Sequence, residues 1–154
     1  MRFLRKGAFF SIQHKPAVQG DDGTFFIQIK RGAKEINANS PAPGPIIFAM
    51  KPTEAAEILA RYEQGNKVIT LPPHFAGGVP GENSTVKNLE FTHKTFEKNG
   101  KTVDMWAVVA SEKGPTVNKS FAFGLSIGEM RAMIEYVKQN LLSTFYNFVP
   151  QPVR

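Results

Sequence analysis

The sequence predicts an α+β protein in which a curved antiparallel four-stranded sheet followed by a helix occurs twice, ββββα-ββββα. Two observations predict it. First, the chain resembles itself: Ser11-Ile12-Gln13-His14-Lys15 is similar to Glu90-Phe91-Thr92-His93-Lys94 at an offset of 79. The same offset sets Phe26-Ile27-Gln28-Ile29 over Met105-Trp106-Ala107-Val108 and Lys34 over Lys113. Past the Asn37–Gly44 loop the offset is 75, and Phe48 meets Phe123, Glu54 meets Glu129, and Ile58-Leu59 meets Met133-Ile134. Second, each half changes from the two-residue period of strands to the 3.6-residue period of a helix, in the same order.

In the first half, residues 8–15 alternate as a strand, with Phe10, Ile12 and His14 on one face and Phe9, Ser11 and Gln13 on the other. Asp21-Asp22-Gly23 is a hairpin turn signal, so its adjacent carboxylates are read as turn residues rather than a catalytic pair. Residues 24–31 return, with Phe25, Ile27 and Ile29 on one side and Phe26, Gln28 and Lys30 on the other. Short strands near 33–38 and at 45–50 follow. Pro52 suits a first helical position, Ala55, Ile58, Leu59 and Tyr62 recur at helical spacing, and Gly65 is a stop.

The second half repeats the plan. A strand over 87–97, a turn at Lys98-Asn99-Gly100 and a return strand over 102–111 precede strands at 116–119 and 120–125. Ser126-Ile127-Gly128-Glu129 matches a capping box, and the helix it opens runs to about 147. One domain, 1–154, is expected from these two repeats (about 8–65 and 87–147). A flexible linker at about 72–86, with a mobile Gly77–Gly81 loop, joins them after a short strand at Val68–Leu71.

At 154 residues the chain is long enough for a real core, since about 70% of the unfolded surface is buried at this size. Hydrophobic residues make up 42% and charged residues 21%, which excludes a wholly disordered chain. With no cysteine there is no disulfide framework, thiolate metal site or cysteine nucleophile. No apolar run is long enough to span a membrane. The run Ala8-Phe9-Phe10 is too short for a signal-peptide core, so the expected location is cytoplasmic or nucleoid-associated, or the host cytoplasm for a viral protein. The sequons Asn83-Ser84-Thr85 and Asn118-Lys119-Ser120 are therefore read as coincidental.

The net charge is +6, with 19 Lys and Arg against 13 Asp and Glu. The excess is concentrated before residue 35, where Arg2, Arg5, Lys6, Lys15, Lys30, Arg31 and Lys34 face only Asp21 and Asp22. A local basic excess fits a polyanion partner. No phosphate-binding glycine loop or Walker lysine is present, and His14, His74 and His93 are not at metal-ligand spacing on one helix. No enzymatic activity, cofactor or metal is expected. His14 and His93 fall at one repeat position and read as structural.

Strands that carry aromatic and basic residues together are equipment for single-stranded nucleic acid: bases stack on rings while cations follow the phosphates. Phe25, Phe91 and Phe123 have core periodicity, whereas Phe26 and Phe96 alternate onto the face that holds Lys30 and Lys94. The predicted nucleic-acid-binding residues are Lys6, Gln13, Lys15, Phe26, Gln28, Lys30, Lys34, Thr92, Lys94, Phe96, Met105 and Lys113. Trp106 is placed inward by its match to Ile27.

The order of these features, over roughly residues 6–149, resembles the Whirly family of single-stranded DNA-binding proteins, whose fold is shared by kinetoplastid guide-RNA-binding proteins. Lys6-Gly7-Ala8 is similar to the start of the plant signature Lys-Gly-Lys-Ala-Ala-Leu, with Ala8 in place of the second lysine. Gly23-Thr24-Phe25-Phe26-Ile27-Gln28 resembles the family's second strand, and Phe145-Tyr146-Asn147-Phe148-Val149-Pro150 its tail after the last helix. The resemblance implies binding to single-stranded DNA with little sequence preference, in replication, recombination or repair. RNA binding or annealing, and a protein-interaction module without nucleic acid, are the alternatives. It also implies a homotetramer with central helices and outward sheets.

Overall fold

A computed structural model describes residues 1–31, 44–75 and 84–145. Four strands open the chain: β1 (Arg2–Arg5), β2 (Ala8–Lys15), β3 (Thr24–Arg31) and β4 (Ile46–Met50). They form one antiparallel sheet in the order β1-β2-β3-β4. Helix α1 (Pro52–Glu63) follows and ends at Gly65, whose positive φ of 80° is cheap for a residue without Cβ. The second half holds β5 (Val68–Thr70), β6 (His74–Phe75), β7 (Val86–Lys98), β8 (Lys101–Lys113), β9 (Asn118–Ser126) and helix α2 (Ile127–Thr144). Its sheet runs β5-β7-β8-β9, with β6 also paired to β7.

The plan is the predicted one, with its strands differently drawn. β1 was not anticipated; a four-residue strand with a charge at each end has too short an alternation to register. The expected strand at 33–38, Lys34 and the Gly77–Gly81 loop lie outside the described residues. His74 and Phe75 pair with β7 where linker was expected, and Pro72-Pro73, which lack amide donors, separate them from β5. The two strands expected at 116–119 and 120–125 are one, because the pairing of β9 with β8 runs without a break from Asn118 to Ser126. Helix α2 stops at Thr144 rather than 147. Its last carbonyls are taken by the β2–β3 loop: Ala17 N–H donates to Ser143 O at 2.9 Å and Gly23 N–H to Thr144 O at 2.7 Å.

Each sheet turns one face to a common core. Phe10, Ile12, Phe25, Ile27, Ile29, Ile46, Phe48 and Met50 from the first sheet share one cluster with Phe91, Trp106, Val108, Phe123 and Leu125 from the second. Ala55 and Ile58 of α1 and Met130, Met133, Ile134 and Val137 of α2 complete it. The repeat is visible in the pairing. Ile27 faces Phe48 as Val108 faces Phe123, and Phe25 faces Met50 as Trp106 faces Leu125. Trp106 therefore corresponds to Phe25, not Ile27. The correction is two residues, which leaves the face unchanged, and Trp106 is buried as expected.

Candidate nucleic-acid interface

Alternation fixes the outer face of the first sheet. Because Phe10, Ile12, Phe25, Ile27 and Ile29 are buried, their neighbours stand on the other side. In β2 these are Phe9, Ser11, Gln13 and Lys15; in β3, Phe26, Gln28 and Lys30. Across the ladder Gln13 faces Phe26, Ser11 faces Gln28 and Phe9 faces Lys30. β1 adds Arg2 and Leu4 opposite Ser11 and Phe9, and β4 adds Ile47 and Ala49 opposite Gln28 and Phe26. The sheet thus brings five predicted residues onto one surface: Gln13, Lys15, Phe26, Gln28 and Lys30. Gln13 and Lys15 are exposed, while Phe26, Gln28 and Lys30 are half-buried.

The four strands contain Arg2, Arg5, Lys15, Lys30 and Arg31 and no Asp or Glu. Among the described residues the face therefore offers rings, side-chain amides and the cations of Arg2, Lys15 and Lys30, with no carboxylate from its strands to repel a phosphate. Lys6 sits apart from it, at the tip of the β1–β2 hairpin, exposed beside Gly7.

Sequence reasoning missed Arg2, Leu4 and Ile47 on this face, and it set Phe9 beside Gln13 without naming it as a binding residue. The Arg2 guanidinium lies over the Phe9 ring, 4.6 Å from its centroid, so the planar cation and the aromatic already form a stack. Leu4 is 66% exposed and Ile47 42%. The signal for Phe9 was present, since it alternates with Gln13; Arg2, Leu4 and Ile47 needed the flanking strands to be paired first. Ser11 is the small residue among these larger neighbours, and its buried hydroxyl has no hydrogen-bond partner among the described residues.

The second sheet is different in kind. Its outer face holds Thr92, Lys94, Phe96, Met105 and Lys113, but also Glu90. Thr92 is already engaged: its hydroxyl donates to Glu90 Oε1 at 2.9 Å, and Thr70 donates to Glu90 Oε2 at 3.2 Å. Met105 lies across Gly124, where a Cβ would meet the methionine methyl at 2.2 Å. Lys113 ends β8 eight residues beyond Met105, about 27 Å away at 3.4 Å per residue. Both sheets put their inner faces on one core, so the two outer faces belong to different sheets. The predicted residues therefore divide between two surfaces.

Histidines and charges elsewhere serve the scaffold. His14 packs on Phe25, which it faces across the hairpin, with ring centroids 5.1 Å apart; His93 packs on Trp106 in the same way at 5.3 Å. Burial holds the His14 imidazole below its ordinary pKa of 6.5. Arg5 reaches from β1 to Glu129 at the start of α2 and lies over the Phe123 ring. Desolvation works to raise the Glu129 carboxyl, but hydrogen bonds from Arg5 and the Ser126 amide, with the Arg5 charge, hold it below the ordinary carboxylate value.

No family model matches this chain, and no curated protein matches it in sequence. Solved structures do match in fold. WHY3 from Arabidopsis thaliana superposes with a TM-score of 0.64 at 12% identity, over 94% of this chain and 86% of that one. The plant transcriptional regulator PBF-2 gives 0.62 at 12% identity, over 94% and 88%. The Trypanosoma brucei MRP1/MRP2 structure gives 0.57 at 11% identity, over 88% and 74%. The fold is of the Whirly type.

Proposed function

We propose, from this Whirly-type fold and its carboxylate-free sheet face, that the protein binds single-stranded DNA with little sequence preference, in replication, recombination or repair. The observation that carries the reading is the outer face of β1–β4. It presents Phe9 and Phe26 for stacking, Gln13 and Gln28 for base edges, and Arg2, Lys15 and Lys30 for phosphates. Stacking is tolerant of sequence because every base has a π-face. The resemblance of the sequence to a family of single-stranded DNA-binding proteins supports the same reading, and one structure of this fold is that of a plant transcriptional regulator. The same resemblance supports a homotetramer. On α2 the apolar residues left exposed for it are Leu142, at 63%, and Ile127, at 43%, since Met130, Met133, Ile134 and Val137 are spent on the protomer's own core.

The test is a fluorescence titration with a labelled single strand, its duplex and the matched RNA, at two salt concentrations. Each phosphate neutralised on a single strand contributes about −0.7 to the log–log salt slope, so a slope of a few units is expected. Tighter RNA than DNA binding moves the function to RNA. A flat salt response with no single-strand preference removes the reading.

A further inference from the structure

The β7–β8 hairpin outruns its sheet. Beyond Thr92 the partner β5 has ended, and before Met105 β9 has not yet joined. Residues 95–104 are thus paired only with each other among the described residues, and Lys94–Thr102 are all exposed. The tip is closed by Asn99 and Gly100 with φ of 54° and 73°, the two positive values that a type I′ turn needs. From Lys94 to Lys98 the free ribbon extends about 14 Å at 3.4 Å per residue.

Its two faces are sorted by charge. Asp104 is fixed on the inner side by contact with His93 Nε2 at 3.7 Å, and Thr95 on the same side donates to it at 2.5 Å. Glu97 and Thr102 alternate onto that side as well. The opposite face carries Lys94, Phe96, Lys98, Lys101 and Val103, with no acid, and Phe96 stands directly opposite Val103. None of the three lysines has an ion-pair partner among the described residues.

We infer that this ribbon is an arm that enters the major groove of duplex nucleic acid next to a bound single strand, so that the protein favours single–double strand junctions. The inference rests on the single-strand reading for the adjoining strand. Three features favour a duplex as the arm's ligand. A two-stranded ribbon fits a major groove about 12 Å wide and 8.5 Å deep, which a four-stranded sheet does not. With one ring against three lysines the arm is equipped for phosphates and guanine edges, not for successive stacking. The sorting of charge turns Glu97 and Asp104 to solvent when the lysine face meets the groove floor, where Phe96 and Val103 suit a thymine methyl.

The experiment compares three labelled ligands: a single strand, the same strand as a tail on a duplex, and the blunt duplex. Each is titrated with the wild-type protein and with the Lys98→Gln/Lys101→Gln variant. The wild type is expected to bind the tailed duplex several-fold tighter than the tail alone. The variant is expected to lose that gain and keep the tail affinity. Equal wild-type affinity for tail and tailed duplex overturns the arm and leaves the single-strand reading standing. A variant that weakens tail and tailed duplex alike also overturns it, making the ribbon a single-strand contact. Loss of tail binding in the wild type with arm-dependent duplex binding overturns the single-strand reading instead.

Discussion

At the scale of single residues, Phe25 and Phe26 are adjacent and do opposite things. Phe25 is fully buried against His14 and Tyr136, while Phe26 stands on the outer face between Gln13 and Ala49. Phe25→Ala is expected to cost about 3–5 kcal/mol of stability as a core truncation, read by chemical denaturation. Phe26→Ala is expected to spare the fold and weaken single-strand binding by about 1–3 kcal/mol, read by titration. Lys30→Ala makes the salt slope shallower by about 0.7.

His14 gives the pH dependence a sign. Its folded pKa lies below the ordinary 6.5 because burial penalises the cation, so the unfolded chain binds the proton more readily. Its contribution to stability is intact above pH 6.5 and is lost as pH falls from there through the folded value. His14→Phe keeps a ring on Phe25 and removes the titration. Urea midpoints just above and well below pH 6.5 should therefore fall less in the variant than in the wild type. An equal fall places the acid sensitivity elsewhere.

At the scale of elements, helix starts and tight turns hold the pieces in place. Ser126 accepts from Glu129 N–H at 3.1 Å while Glu129 accepts from Ser126 N–H at 2.9 Å. Glu129 also holds Arg5, so this cap joins α2 to β1 of the other sheet. Ser126→Ala is expected to cost about 0.5–2 kcal/mol in thermal or chemical unfolding. Because the Glu129 pKa is depressed in the folded protein, what its ionisation contributes is present above the ordinary carboxylate value of 4.5 and is lost as pH falls through the folded one. Gly23 is the tightest turn position: a Cβ there would lie 2.2 Å from Lys15 O and 2.8 Å from Ala17 N. Gly23→Ala is expected to break the loop that donates to Thr144 O, seen as loss of amide protection at Gly23 and at the end of α2.

At the scale of the whole molecule, the placement of the helices decides where further copies can attach. α1 lies against α2, and Lys138 of α2 sits 3.7 Å from Glu63 of α1. Met130, Met133, Ile134 and Val137 of α2 are buried within one protomer, leaving Ile127 and Leu142 exposed on that helix. Light scattering is expected to show a particle several times the 17.0 kDa protomer mass, with Leu142→Glu shifting it toward the protomer. A wild-type mass of one protomer at micromolar concentration ends the tetramer.

The order of amino acids alone carried the α+β plan, the repeat, the Ser126 cap, the Asn99-Gly100 turn and the inward or outward side of the residues it placed in β2, β3, β7 and β8. These depend on contacts a few residues apart, and side-chain alternation survives even a two-residue error in register, as Trp106 shows. Which strands stand side by side was settled only by the folded chain. That choice placed Arg2 over Phe9, added Leu4 and Ile47 to the face, and separated Lys94 and Phe96 from Lys30 and Phe26. It also left residues 95–104 without a third strand among the described residues. The physical reason is range: strand pairing and the burial of a sheet face are set by partners tens of residues away, and no local period records them.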